Sequence, residues 1–148
     1  MNYATLKTAV DTALATITPP LEEGVMCDAD GNRDRFVNRS YTLNFAADQL
    51  PSPHTSDDNV CIESWVIEVL FCGNADEWFD RVAEARACAA AIRNAIGAMS
   101  LATLLSICDS ATPNETVSIR CGSASHDSRL ARDGVLVLRL GLTVTSFV

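Results

Sequence analysis

The residues best equipped for chemistry are few, and their spacing mostly rules chemistry out. Ser125-His126-Asp127 holds the three side chains of a nucleophilic triad in consecutive positions. A working triad needs groups converging from separate segments, and no nucleophile-elbow pattern accompanies these, so they read as a solvated stretch. Asp28, Asp30, Asn32 and Asp34 surround an Asp-Gly pair, superficially like a calcium loop. An EF-hand places glycine sixth and a bidentate glutamate twelfth. Counting from Asp28, glycine comes at Gly31 and the twelfth position is Arg39, so a turn built on Asp-Gly fits the run better. Neither a Walker loop nor G-x-G-x-x-G occurs to cradle a phosphate.

Cys27, Cys61, Cys72, Cys88, Cys108 and Cys121 include no Cys-x-x-Cys pair. Cys61, Cys72, Cys88 and Cys121 lie within or beside apolar stretches, where a reduced cysteine acts as a small buried hydrophobe. A disulfide is the second reading. Zinc is the third, because only His54 and His126 could complete a site and both sit in polar stretches. No metal or other cofactor is expected. Glu63 and Glu68 fall on opposite faces of one strand and make a poor carboxylate pair. Glu68, if buried, would need a cation: Arg39, Arg139, or an arginine of another subunit. Arg129 and Arg132, like Arg33 and Arg35, stand out against an acidic background. They read either as solvated charges or as a docking surface for an acidic partner.

The elements that must position these residues centre on the stretch Val60–Ile96. In Val60–Phe71, Trp65, Ile67, Val69 and Phe71 alternate onto one face, with Ile62, Ser64, Val66, Glu68 and Leu70 on the other. This period predicts a strand spanning roughly 40 Å, longer than most. Asn74 and Glu77 make a capping-box pattern for a helix from Ala75. Trp78, Val82, Ala85, Ala89, Ile92 and Ile96 predict its apolar stripe, with Phe79 widening the first turn and Gly97 placed as a C′ residue. Tyr3–Ile17 reads as a helix capped by Asn2 and ended by Pro19-Pro20, followed by a polar connection, Leu21–Arg35. Phe36–Ala47 alternates as a second strand, with Val37, Tyr41, Leu43 and Phe45 on its apolar face, antiparallel to Val60–Phe71 across the loop Gln49–Asn59. Met99–Cys108 suits a short helix, with a strand as the alternative. Thr116–Cys121 predicts a third strand, Gly122–Gly134 a polar loop, and Val135–Val148 a last strand in which Gly141 marks a bulge or close approach.

This order predicts a single α+β domain over residues 1–148, with a mainly antiparallel or mixed sheet of about four strands. The long helix and the N-terminal helix pack on it. A chain of 148 residues can bury one core but not two comfortable ones. The formal net charge of −8 argues against a basic nucleic-acid footprint, while leaving room for DNA to pass through an acidic channel without sticking. No apolar run reaches the eighteen or so residues of a membrane span, and Met1–Ile17 lacks the regions of a signal peptide. A cytoplasmic site of assembly and no membrane partner are therefore expected.

The chain resembles the tail terminator (minor tail protein U-like, or tail-completion) proteins of long-tailed bacteriophages. The N-terminal helix, the two-strand unit, and the strand Glu63-x-Trp65-x-Ile67-Glu68-Val69 running into the helix Ala75-Asp76-Glu77-Trp78 carry the resemblance. The long polar loop and the C-terminal strand complete it. The resemblance implies a structural virion protein of the tail-neck region with no enzymatic activity. Such a protein forms a homo-oligomeric ring, typically a hexamer, on the last ring of the tail tube. Its partners would be itself, the tail tube protein and the head-side connector or neck protein, with DNA only as cargo in the lumen. By analogy with the family, Gln49–Asn59 and Gly122–Gly134 would contact tube or connector, and the alanine-rich helix and a free strand edge would contact neighbouring subunits. The interface residues so implied are Arg33, Arg35, His54, Asp57, Asp58, Glu68, His126, Arg129 and Arg132. A head-closure neck protein, a small ligand-binding domain or enzyme, and a redox or metal protein are the alternatives.

Overall fold

The computed structural model describes residues 1–24, 37–49 and 60–147, with residues 47–49 described as backbone only. The elements run α1 (Tyr3–Leu14), β1 (Glu22–Glu23), β2 (Ser40–Gln49), β3 (Val60–Cys72), and a single 3-10 turn (Ala75–Glu77) leading into α2 (Trp78–Gly97). They continue with α3 (Leu101–Ile107), β4 (Thr116–Arg129), α4 (Leu130–Asp133) and β5 (Val135–Phe147). The strands form one mixed sheet in the order β1-β2-β3-β5-β4. β1 runs parallel to β2 and every other pairing is antiparallel. The fold is α+β, as the alternating and helical periods predict, with five strands rather than about four.

The core lies between the sheet and α1, α2 and α3. β3 contributes Ile67, Val69 and Phe71, β5 contributes Leu136, Leu138, Leu140, Leu142 and Val144, and α2 contributes Val82, Ala85, Cys88, Ala89, Ile92 and Ile96. Each set follows its element's own period, two along the strands and about three and a half along the helix. The opposite face of β3 is only half buried at Ile62, Ser64, Val66 and Glu68. A separate small cluster, Leu70, Val135 and Val137, sits at one end of that face.

Caps set the helix boundaries. The Asn2 side chain accepts from the Thr5 N–H, and Ser100 accepts from Thr103. The Glu77 carboxylate accepts from the Asn74 N–H at 2.6 Å, closing the predicted box. Gly97 is the last residue inside α2 rather than a left-handed residue after it, and Ala98 ends the helix at φ −90°. The glycine that does need a positive φ is Gly134 (φ 68°), which closes α4 and accepts a bond from the Gly73 N–H at 3.0 Å. α1 stops at Leu14 rather than Ile17, although Ile17 remains in the core.

Several expectations change. The expected loop Gly122–Gly134 is instead the second half of β4 followed by α4. β5 is hydrogen-bonding backbone along its whole length, and polar side chains are tolerated on the edge strand that pairs with it. A register shift between Cys121 and Ala124 falls opposite Gly141, so the bulge expected near that glycine belongs to its neighbour. β2 begins at Ser40, leaving Val37 exposed before it, and the polar connection contains the unforeseen β1. Phe79 does not widen the apolar stripe; it is 79% exposed, and Trp78 packs edge-on against it. Cys61 is exposed near the start of β3 rather than in the core, whereas Cys88 is buried, and burial pushes its thiol pKa up.

Arg39 ties the helical layer to the sheet. It is buried at φ 61°, a conformation unusual for a residue with a side chain. Its guanidinium donates to Pro19 O (2.6 Å), Pro20 O (3.2 Å) and Glu84 Oε1 (2.9 Å), and lies 5.7 Å from the Phe71 ring centroid. One side chain thereby joins the segment after α1, the start of β2, and α2. Arg39→Ala would strand two carbonyls and a carboxylate, and should cost about 3 kcal/mol in urea unfolding. A loss below about 0.5 kcal/mol would show that the tie contributes little.

Candidate functional site

Two features of the sheet stand apart from the core: its β4 edge and the face turned away from the helices. At the edge, α2 and β4 enclose a groove of about 360 Å³. The α2 stripe turns Val82, Ala85 and Ala89 toward the sheet, and with Leu138 of β5 these make an apolar floor. One step around the helix, Arg86 and Arg93, seven residues apart and so on one side, form the cationic wall. The other wall is the β4 segment that carries Ala124 and His126. Arg93 Nε donates to Gly122 O at 3.2 Å, holding the helix to the strand at the bulge. No carboxylate lines the groove among the described residues, in a chain with 19 acidic and 11 basic side chains.

The residues singled out from the sequence separate in space. His126 lines the groove, opposite Leu138 in the ladder, while Ser125 is opposite Arg139. Alternation along β4 sends Ser125 and Asp127 to the face opposite His126, so the consecutive Ser-His-Asp cannot converge. Arg129 closes β4, with its Nε 2.9 Å from Asp127 Oδ2. Arg132 lies exposed in α4 and pairs with Asp133 at 3.0 Å. Arg33, Arg35, His54, Asp57 and Asp58 lie outside the described residues, as does Cys27.

Glu68 sits on the face of β3 turned away from the helices, directly across the ladder from Arg139, whose Nε is 3.5 Å from Glu68 Oε2. Of the two partners expected within the chain, Arg139 is the one that Glu68 meets; Arg39 pairs with Glu84 instead. Oε2 has no hydrogen-bond partner despite being buried. The contact is therefore a charge pair rather than a hydrogen bond.

Sequence reasoning missed Glu63, which is 3% exposed on the helical side of β3. Its carboxylate accepts from Tyr3 Oη at 2.6 Å and from Trp65 Nε1 at 3.1 Å. Trp65 also packs edge-on against Phe45, its partner across the ladder, at 5.1 Å. Both carboxylate oxygens are engaged, so Glu63 fixes α1 to the sheet. A second concavity, about 510 Å³ between α1 and α3, is lined by threonines, serines, alanines and Met99. Thr8, Thr12, Thr16 and Ser106 spend their hydroxyls on helix carbonyls, and among the described residues nothing titratable lines that space. Among the described residues no group of three His, Cys, Asp or Glu side chains is placed to hold a metal ion. No single described helix is long and apolar enough to cross a membrane.

No protein-family model matches the chain, and no curated protein matches it.

The Glu68–Arg139 charge pair is open to a double-mutant cycle. Glu68→Gln, Arg139→Met and their combination should give a coupling energy of about 1 kcal/mol in urea unfolding, because both groups are part-exposed. A coupling near zero would mean the pair does not contribute to the folded monomer.

Proposed function

We propose that this chain is a structural, ring-forming protein of the tail-terminator kind. Copies assemble on the end of a phage tail tube, stop its growth and offer a surface to the head-side connector. The observation that carries the reading is the long β4 edge, which no other described strand covers, beside a sheet with its own buried core. Edge strands of monomeric proteins are usually short, covered or blocked, because unpaired backbone recruits another chain. Here the edge strand is 14 residues long and α2 stands beside it with a groove between. Large apolar side chains outside the core support the same reading: Phe79, Leu101, Leu105 and Phe147 are 79%, 72%, 53% and 43% exposed. So does the net charge of −8, since an acidic ring lets DNA slide through its lumen instead of binding it. The reading assigns no catalytic residue and no cofactor.

The resemblance noted from the sequence gives the assembly its identity. The subunit contacts fall to the β4 edge and the alanine flank of α2, and the tube or connector contacts to the Arg129–Arg132 end of the molecule.

The test is to mix the purified chain with isolated tail tubes and, separately, with capsids, and to examine both by electron microscopy. The expected outcome is rings, six subunits in each, seated on tube ends, with tubes of fixed length. A chain that remains a monomer beside tubes and binds only capsids would move it to the neck side of the same junction. Arg129→Glu with Arg132→Glu should lower the yield of joined particles at least tenfold. Unimpaired capping and joining would take that end of the molecule out of the contact surface.

A further inference from the structure

The two edges of the sheet differ in charge. β1 and β4 lie at opposite ends of the strand order, four strand spacings or roughly 19 Å apart. At the β1 edge, Glu22 and Glu23 are both exposed. Lys7 lies 2.6 Å from both Glu23 and Asp11, so one ammonium is shared by two carboxylates and Glu22 adds a third negative charge. At the β4 edge, the groove presents Arg86, Arg93 and His126 and, among the described residues, no carboxylate. Apart from its ladder to β5, β4 makes no other backbone–backbone bond among the described residues.

We infer that the basic groove beside β4 seats the acidic β1 edge of a second copy of this chain, so that the sheet of one subunit continues into the next. This rests on the ring reading above and specifies its contact. Two different patches that complement each other make a head-to-tail interface, which is the kind that closes into rings. Adding a strand to β4 satisfies backbone groups, and Glu23, the β1 carboxylate on the helical side of the sheet, meets the two guanidinium groups over an apolar floor of Ala89 and Leu138. The charge asymmetry also sets polarity: β4 against β4 would bring cations together, and β1 against β1 would bring carboxylates together.

The experiment is a charge swap read by native mass spectrometry. One variant carries Arg86→Glu and Arg93→Glu, the other Glu22→Lys and Glu23→Lys. Each alone should assemble at least tenfold more weakly than the unaltered chain, alone or on tail tubes. Mixed in equal amounts they should recover rings, with the two variants alternating. Rings from either variant alone at unaltered strength, or a mixture of folded variants that stays dispersed, would overturn the pairing. Circular dichroism checks folding. Should a reversal unfold the chain, the milder Arg86→Gln with Arg93→Gln and Glu22→Gln with Glu23→Gln replace it, each expected to weaken assembly several-fold and to overturn the pairing if it does not. If the unaltered chain makes no ring by itself or on tubes, the ring reading itself fails; if it does and the variants match it, only the pairing fails.

Discussion

The structure depends on the ladder between β3 and β5. The two strands pair without a break from Val60 opposite Phe147 to Cys72 opposite Val135. Both send a run of large side chains to the helical face, and several of these are fully buried, including Ile67, Val69, Phe71, Leu136 and Leu140. α2 packs its stripe on that floor, and α1 and α3 close the remaining side. β2 and β4 are then added to the outer sides of the pair, and their register follows from it. A change that shifted this ladder by one residue would turn the whole apolar set to the other face.

Burial of that pair also explains which parts were legible in the sequence. β3, α2 and β5 follow clean periods because one side of each is fully removed from water. The antiparallel pairing of β2 with β3 and the helical nature of α3 followed from similar patterns. The second half of β4 did not, because Gly122–Arg129 is a polar edge whose strand form is imposed by the β5 backbone rather than by its own side chains. β1 is only two residues long and carries no period at all. Phe79 was misplaced because hydrophobicity alone was taken to mean burial, yet it lies one step outside the stripe that Val82 and Ala85 define.

The candidate site was only partly legible. His126, Glu68, Arg129 and Arg132 stood out by residue type, and Arg139 was named correctly as a partner for Glu68. The groove was not foreseen, since it exists only where α2 crosses β4. Arg86 and Arg93 gain meaning only with the strand beside them in place, although their seven-residue spacing puts them on one side of the helix. Glu63 was set aside as one half of a failed carboxylate pair; its two donors, Tyr3 and Trp65, make it a fastening between α1 and the sheet. The described residues thus separate into a closed core between helices and sheet and two outer strands, β1 and β4, at the ends of the sheet.

Hydrogen exchange at the β4 amides from Ala124 to Ser128, in dilute monomer and in assembled particles, bears most directly on the claim that these edges build a ring. Assembly through the edge predicts that the amides on the outer side of β4 slow by at least a hundredfold in the particle while those bonded to β5 change little. Particles in which the outer amides exchange as fast as in the monomer would contradict the account.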